Sequence, residues 1–133
     1  MSILDSMQAT NMAMVAQGQR INAITSNVSN LDTVASSPDD AFKAKLVKFD
    51  TMNVGGSQSV IVTEVVESTA APQPIFMPHS PIADEHGYVW GSNVNREEQV
   101  ADMISAENSY QLNTQMSASL KSLALKSIQT LGN

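Results

Sequence analysis

Met103–Asn133 reads MISAENSYQLNTQMSASLKSLALKSIQTLGN, and this stretch decides how the rest of the chain must fold. Taken as a helix at about 100° per residue, it sets Leu112, Met116, Leu120 and Leu123 on one stripe. Met103, Ala106, Tyr110, Ala124, Ile128 and Leu131 lie beside that stripe, so apolar side chains take about half the circumference. A helix docked on one small domain needs an apolar stripe only a little wider than about 100°. A helix apolar over half its girth has more than one neighbour to cover it. In so short a chain, some of those neighbours are expected on other molecules.

The signals around this stretch agree on where the helix starts and stops. Asn95 offers an N-cap, and Glu98 three residues later completes a capping box. Glu97, Glu98 and Asp102 come early and Lys121 and Lys126 come late, the order that complements the helix dipole. Gly132 suits the position just past the end. The spacing predicts a helix of about 35 residues, roughly 50 Å long at about 1.5 Å per residue. That length overhangs any β unit the middle of the chain can build.

A second helix is expected at the other end. Ser2 and Asp5 make a cap and an acid at the third helical position. Behind them Ile3, Met7, Thr10, Met14, Gln17, Ile21, Ile24, Val28 and Leu31 alternate three and four apart, a heptad seam. The other faces carry Ala9, Asn11, Ala13, Ala16, Gly18, Ala23, Ser26 and Ser29, small side chains that let backbones approach closely. Gly, Ser, Thr and Asn are middling to poor helix formers, so packing rather than propensity must hold this helix. Residues 3 to 31 are therefore expected to be helical on assembly and largely disordered in an isolated monomer.

Between the helices the pattern changes. Ser36–Asp40 is turn chemistry. Phe42–Met52 reads as extended, Asn53–Ser59 with Gly55-Gly56 as a tight turn, and Val60–Glu67 as the clearest strand. Thr69–Pro81 holds Pro72, Pro74, Pro78 and Pro81, a density of proline that suits an extended edge or arm. Asp84–Trp90 resembles a hairpin turning at His86-Gly87. The expected fold class is α+β. Long N- and C-terminal helices, over residues 1–35 and 95–133, pack as an antiparallel helical hairpin or coiled coil. A small β-rich outer unit of three or four strands with a proline-rich arm fills residues 36–94.

Charge follows the same division. The 133 residues carry a formal net charge of −6, yet residues 1–31 hold only Asp5 and Arg20. Eight acids and three lysines fall in residues 32–95, so the middle is the solvated part and the ends are surfaces to be covered. An acidic chain without a Lys/Arg cluster is a poor partner for nucleic acid. No apolar run approaches the roughly 18 residues a membrane span needs, and no membrane insertion is expected. The N-terminus lacks a basic start and an apolar core, so a cleaved signal peptide is not expected. The chain has no cysteine, which excludes disulfides, thiolate catalysis and Cys-based zinc sites.

Candidate chemistry is thin. Asp84, Glu85, His86 and His79 are the cluster a metal could favour, but adjacent turn residues seldom converge on one ion, and the spacing reads as a solvated turn. Asp39-Asp40 and Glu97-Glu98 read as loop polarity and helix-start charge. Gly55-Gly56 lacks the lysine and helix of a phosphate loop, and no serine sits in a nucleophile elbow. Asn27-Val28-Ser29 spells a glycosylation acceptor, but it falls inside a seam-bearing helix. Met7, Met14, Met103 and Met116 sit at helical spacing and suit helix contact; Tyr88 and Trp90 suit the packed face of the β unit. No catalytic, cofactor-binding or metal-binding residue is expected, and no cofactor. The expected subunit-interface residues are Met7, Met14, Ile21, Ile24, Val28, Leu31, Met103, Tyr110, Leu112, Met116, Leu120, Leu123, Ile128 and Leu131.

Several passages are familiar. Asn22-Ala23-Ile24-Thr25-Ser26-Asn27-Val28-Ser29-Asn30 with Asp32-Thr33, then Phe42-Lys43-Ala44-Lys45, resemble the bacterial flagellar axial proteins. Pro81-Ile82-Ala83-Asp84 with Gly87-Tyr88-Val89, then Asn93-Val94-Asn95, Val100–Ala106 and Ser109–Asn113, resemble the proximal members of the basal-body rod proteins. Gly91-Ser92 departs from that pattern, in which a bulkier residue and a proline more often precede Asn-Val.

The resemblance implies a rod subunit exported unfolded through the flagellar type III apparatus without a cleaved signal. Such subunits polymerise in the periplasm into the drive shaft between motor and hook. It implies terminal helices packed in an inner tube with the β unit outside. The implied partners are copies of itself, the rod proteins FlgB, FlgF and FlgG, and FliE at the base. On that reading Leu120→Asp leaves expression intact and abolishes rod assembly and motility. The competing readings are a cytoplasmic coiled-coil adaptor or secretion chaperone, and a small hydrolase built on Asp84 and His86.

Overall fold

The structure, a computed structural model, describes residues 2–132; Met1 and Asn133, at the outer bounds of the two expected terminal regions, lie outside the described residues. Along the chain come α1 (Ile3–Ser29), β1 (Val34–Ala35), β2 (Lys45–Val54), β3 (Ser57–Glu67), β4 (Pro74–Phe76), β5 (Tyr88–Gly91) and α2 (Arg96–Leu131). Both helices begin where their caps predict. The Ser2 side chain accepts from the Asp5 N–H, and the Asp5 carboxylate accepts from the Ser2 N–H, a reciprocal box. At α2 the Asn95 side chain accepts from the Glu98 N–H. Gly132 closes α2 in a right-handed conformation, its N–H on the Ile128 carbonyl, so this glycine's left-handed freedom is not used.

The helices run antiparallel. Thr10 meets Met116 (Oγ1 to Sδ 3.5 Å), Arg20 meets Ser105 (3.5 Å) and Asp102 (3.6 Å), and Asn27 meets Gln99 (3.1 Å). Facing residue numbers keep a nearly constant sum, which carried forward sets Ile3 opposite Leu123. The last two turns of α2 therefore overhang the start of α1 by roughly 12 Å at about 1.5 Å per residue.

The fold class is the expected α+β, but the middle is two sheets rather than one unit. β2 and β3 form a long antiparallel hairpin turning at Gly55 (φ 56°) and Gly56 (φ 91°), the left-handed pair that a tight two-residue turn demands. A register shift between Lys48 and Phe49 breaks its alternation. The hairpin lies along α1, which packs against both α2 and β2–β3, and Gln99 and Asp102 of α2 line one cleft with Leu46, Val47 and Phe49 of β2 beside α1. Buried Ala9, Ala16 and Ala23, seven residues apart, explain the close approach. With no side chain beyond Cβ there, β3 comes near enough for the Ser59 hydroxyl to donate to the Ala9 carbonyl.

The second sheet has the order β1-β5-β4, all antiparallel. Val89 at its centre is fully buried. Pro74 opens β4 on the sheet's edge, where the missing N–H costs no ladder bond. Phe76 and Tyr88 pair across it, with centroids 5.3 Å apart at 58°. Gly87 (φ 84°) lies under Phe76; a Cβ at Gly91 would come 2.8 Å from the Ile75 side chain, so the unusual glycine makes room for Ile75.

Side-chain amides tie these pieces together at one end. Asn27, 1% exposed, accepts from the Lys45 N–H (2.7 Å) and donates to the Lys45 carbonyl (3.0 Å) and to Gln99 Oε1 (3.1 Å). It joins α1, β2 and α2 at once. Asn93 accepts from the Ala44 N–H (2.6 Å) and donates to the carbonyls of Ser68 (3.2 Å) and Ala70 (2.9 Å). The Ser92 hydroxyl donates to the Leu31 carbonyl (2.6 Å).

Candidate assembly interface

The fourteen expected interface residues divide between the inside and the outside of this subunit. Ile24 is buried within it, and Met7, Met14, Ile21, Leu31, Met103 and Leu120 are half-buried. Val28, Tyr110, Leu112, Met116, Leu123, Ile128 and Leu131 are exposed. The division has a simple cause. The face that α2 turns to α1 is built from small and polar residues: Gln99 and Ala106 are buried, and Ser109, Asn113, Ser117 and Ala124 are half-buried. The helices approach closely on that face, where Met103 and Leu120 are also half-buried and Met116 reaches Thr10, and most of the other large apolar side chains of α2 project elsewhere.

Two uncovered stripes result. Leu112 (65% exposed), Met116 and Leu123 line one flank of α2, while Val100, Ile104 and Leu125 line the other. Beyond the end of α1 the docking face itself continues uncovered, through Ile128 and then Leu131 (87% exposed). On the hairpin side of α1, Leu4, Met7, Met12 and Val15 face Ile61 and Val62 of β3 across an open groove of about 580 Å³. Leu120 touches α1 as well as solvent, so Leu120→Asp would damage both the subunit and its outer surface; Leu112 is the cleaner position to probe.

Chemistry-bearing groups serve local structure. Asp84 Oδ1 accepts from the N–H groups of His86 and Tyr88, both at 2.9 Å. The hydrogen bond from Tyr88 leads in holding this carboxyl below the usual range; desolvation opposes it, and the bonds from His86 and Gly87 with the charge of His86 add to the lowering. Among the described residues no group of three or more His, Asp or Glu side chains is placed to hold a metal ion. No described helix is long and apolar enough to cross a membrane. The buried amide of Asn27, engaged on both sides, is closed to glycosylation. Its role as a junction was not legible from the sequence, nor was that of Asn93. Both fall in Asn-rich passages that carried the family resemblance, which was the available signal.

The comparisons with known proteins accord with this architecture. The family model described as flagellar basal body rod FlgEFG protein C-terminal matches residues 85–130, which span β5 and nearly all of α2. That match links the C-terminal third of the chain to the class of flagellar basal-body rod proteins. Over the whole chain, the flagellar basal-body rod protein FlgC of Yersinia enterocolitica is 35% identical across 134 residues, 99% of each chain. The FlgC proteins of Salmonella typhi (34% identical, 99% of each chain) and Buchnera aphidicola from Acyrthosiphon pisum (30% identical, 96% of this chain and 97% of the relative) are similar as well. The chain belongs to the FlgC family of flagellar basal-body rod proteins. It is a structural subunit of the flagellar rod, at the flagellar basal body, and the adaptor or chaperone reading is not favoured.

Proposed function

We propose that this subunit assembles through the uncovered faces of its terminal helices into the proximal rod, the shaft segment that carries motor torque towards the hook. The single observation that carries the mode of assembly is the surplus apolar surface of α2: Leu112, Met116, Leu123, Ile128 and Leu131 are all exposed in the subunit. Covering one such side chain is worth about 1.5–3 kcal/mol, so several together supply a strong drive to associate. Torque transfer asks for neighbours held along long dry helix faces, which these stripes offer. The chain works by contact and shape, without catalysis.

Its neighbours would be further copies, the rod proteins FlgB, FlgF and FlgG, and FliE. Export would proceed without a cleaved signal, with the rod built in the periplasm. The poor helix formers of α1 favour a chain that stays weakly ordered until burial at the growing tip stabilises it. Circular dichroism of the dilute monomer should then show much less helix than the folded subunit contains.

The test is replacement of the resident subunit by a tagged copy, with extraction of basal bodies in detergent. The wild-type chain should co-purify with them. Leu112→Asp should be expressed normally, yet be lost from basal bodies and leave cells non-swimming. Swimming cells with Leu112→Asp in the basal body would overturn the interface, and a wild-type chain missing from basal bodies would overturn the rod reading.

A further inference from the structure

The second sheet has two unlike sides. Side chains alternate along a strand, so Val89 and Gly91 of β5 point one way and Tyr88 and Trp90 the other. The first side is the inner one: Val89 is fully buried, and Gly91 lines a cleft with Ile75 and the first turn of α2. Register then sets Ala35 and Pro74 on either side of Trp90, and Phe76 opposite Tyr88, all on the outer side. Tyr88 and Trp90, expected on the packed face of the β unit, thus stand away from it. Trp90 is half-buried, Tyr88 is 39% exposed and Phe76 is 63% exposed. Three of the chain's six aromatic side chains share this small outer face, where packing of the subunit does not call for them.

The surroundings are acidic. From Phe49 to Asn95 the chain holds five acids and no lysine or arginine. Lys43 and Arg96, the nearest such bases along the chain to β1 and β5, are engaged elsewhere: Lys43 donates to the Asp39 carbonyl (3.0 Å), and Arg96 lies 3.7 Å from Asp32. The turn that leads into Tyr88 carries Asp84 and Glu85. Asp84 Oδ1 is 2.9 Å from the Tyr88 nitrogen, and Gly87 of the same turn lies against Phe76, so carboxylate borders the aromatic pair. Aromatic faces attract cations through their quadrupoles, and carboxylates at the margin add a full charge to that attraction. We propose that the outer face of the second sheet docks a basic, extended segment of another protein. Its Arg or Lys stems lie over Phe76, Tyr88 and Trp90, and their charged ends meet Asp84 and Glu85. Arginine suits the face better than lysine, because its planar guanidinium stacks on a ring and is the more weakly hydrated ion.

Trp90 is the chain's one tryptophan, so its emission reports this face directly. The loop also holds His79 and His86, which oppose a cation only when protonated, so the titration belongs at about pH 8. The full-length chain, at a concentration where it is fully helical, should show a saturable change in emission with an amidated peptide of alternating arginine and proline. A matching glutamate–proline peptide and a chitin trisaccharide should leave the emission unchanged. Raising salt from about 0.05 M to about 0.5 M should weaken binding, since the carboxylates are exposed. Phe76→Ala and Tyr88→Ala should each weaken it about two- to fivefold, the loss expected for one exposed cation–aromatic contact. Glu85→Gln removes a charge from an exposed side chain and should weaken binding with circular dichroism unchanged. Ile104→Ala, on the exposed flank of α2, should bind as the wild type does.

No saturable response, an equal response to the glutamate peptide, or an affinity untouched by both Glu85→Gln and Phe76→Ala would overturn the basic partner. A response to the trisaccharide alone would make the face a sugar platform and overturn it as well. None of these face residues belongs to α1 or α2, so the rod reading stands or falls separately, on co-purification with basal bodies.

Discussion

The two ends of the helix pair are held by opposite means. At one end, Asn27 and Asn93 fasten four chain segments with side-chain amide bonds of 2.6–3.2 Å to backbone groups and, from Asn27, to the Gln99 side chain. At the other, α2 runs past α1 with Ile128 and Leu131 bare, and the groove beneath the hairpin is open. Directional bonds with one satisfying geometry choose one arrangement of the chain, whereas apolar contact accepts any partner of suitable shape. The pinned end therefore specifies the subunit, and the bare end is kept for what the subunit joins.

The contrast can be broken most severely at Asn27. Asn27→Leu leaves the Lys45 N–H and carbonyl and the Gln99 amide without partners inside the protein, and should cost about 3 kcal/mol. Urea unfolding of the variant, followed at a concentration where the wild-type chain is fully helical, reads this directly; a loss below about 1 kcal/mol would mean the amide junction is not what fixes the segments. Next comes Ala106→Leu, at the fully buried centre of the helix contact. It should cost about 2 kcal/mol through overpacking, while Ile104→Ala, two residues away on the exposed flank, should fall within about 0.5 kcal/mol of wild type by thermal melting.

Ile128→Asp sharpens the comparison from the bare end. Its effect on subunit stability should stay within about 0.5 kcal/mol, because nothing in the subunit covers the side chain it replaces. The smallest effect lies in the second sheet. Hydrogen bonds to the Asp84 carboxylate depress its pKa, so its contribution is present above the ordinary carboxylate range and is lost as pH falls through the lowered folded value. Melting temperature should decline slightly more for wild type than for Asp84→Asn across that acidic window; equal slopes would show that the turn gains nothing from the charged form.

What the sequence made legible was mostly local or periodic. Caps at Ser2 and Asn95, the Gly55-Gly56 turn and the length of α2 all follow from spacing and residue type, and the structure repeats them; the heptad from Ile3 to Leu31 is kept in part, since α1 ends at Ser29 and Val28 is exposed. Which neighbour covers which face was not legible. The small face of α1, read as room for neighbouring backbones, is occupied by β3 of the same chain. Period alone cannot say whether an alanine stripe meets a helix or a strand. Nor could it separate the two sheets, since the pairings of β1 and β4 with β5 join residues far apart in sequence. The bare stripes of α2 were foreseeable because a surplus of apolar girth is a property of one element, read without knowing the others.

The packing of the hairpin along α1 has a mechanical corollary. A laminated beam is stiff in bending only when its layers cannot slide lengthwise; if they slip, each flexes separately and most of the rigidity goes. The Ser59 hydroxyl on Ala9 and the Asn27 amide on Lys45 join hairpin to α1 near opposite ends of their overlap, 18 residues apart along the helix. They act as shear keys between laminae, so the pair should flex as a single thick strut and not as two thin ones.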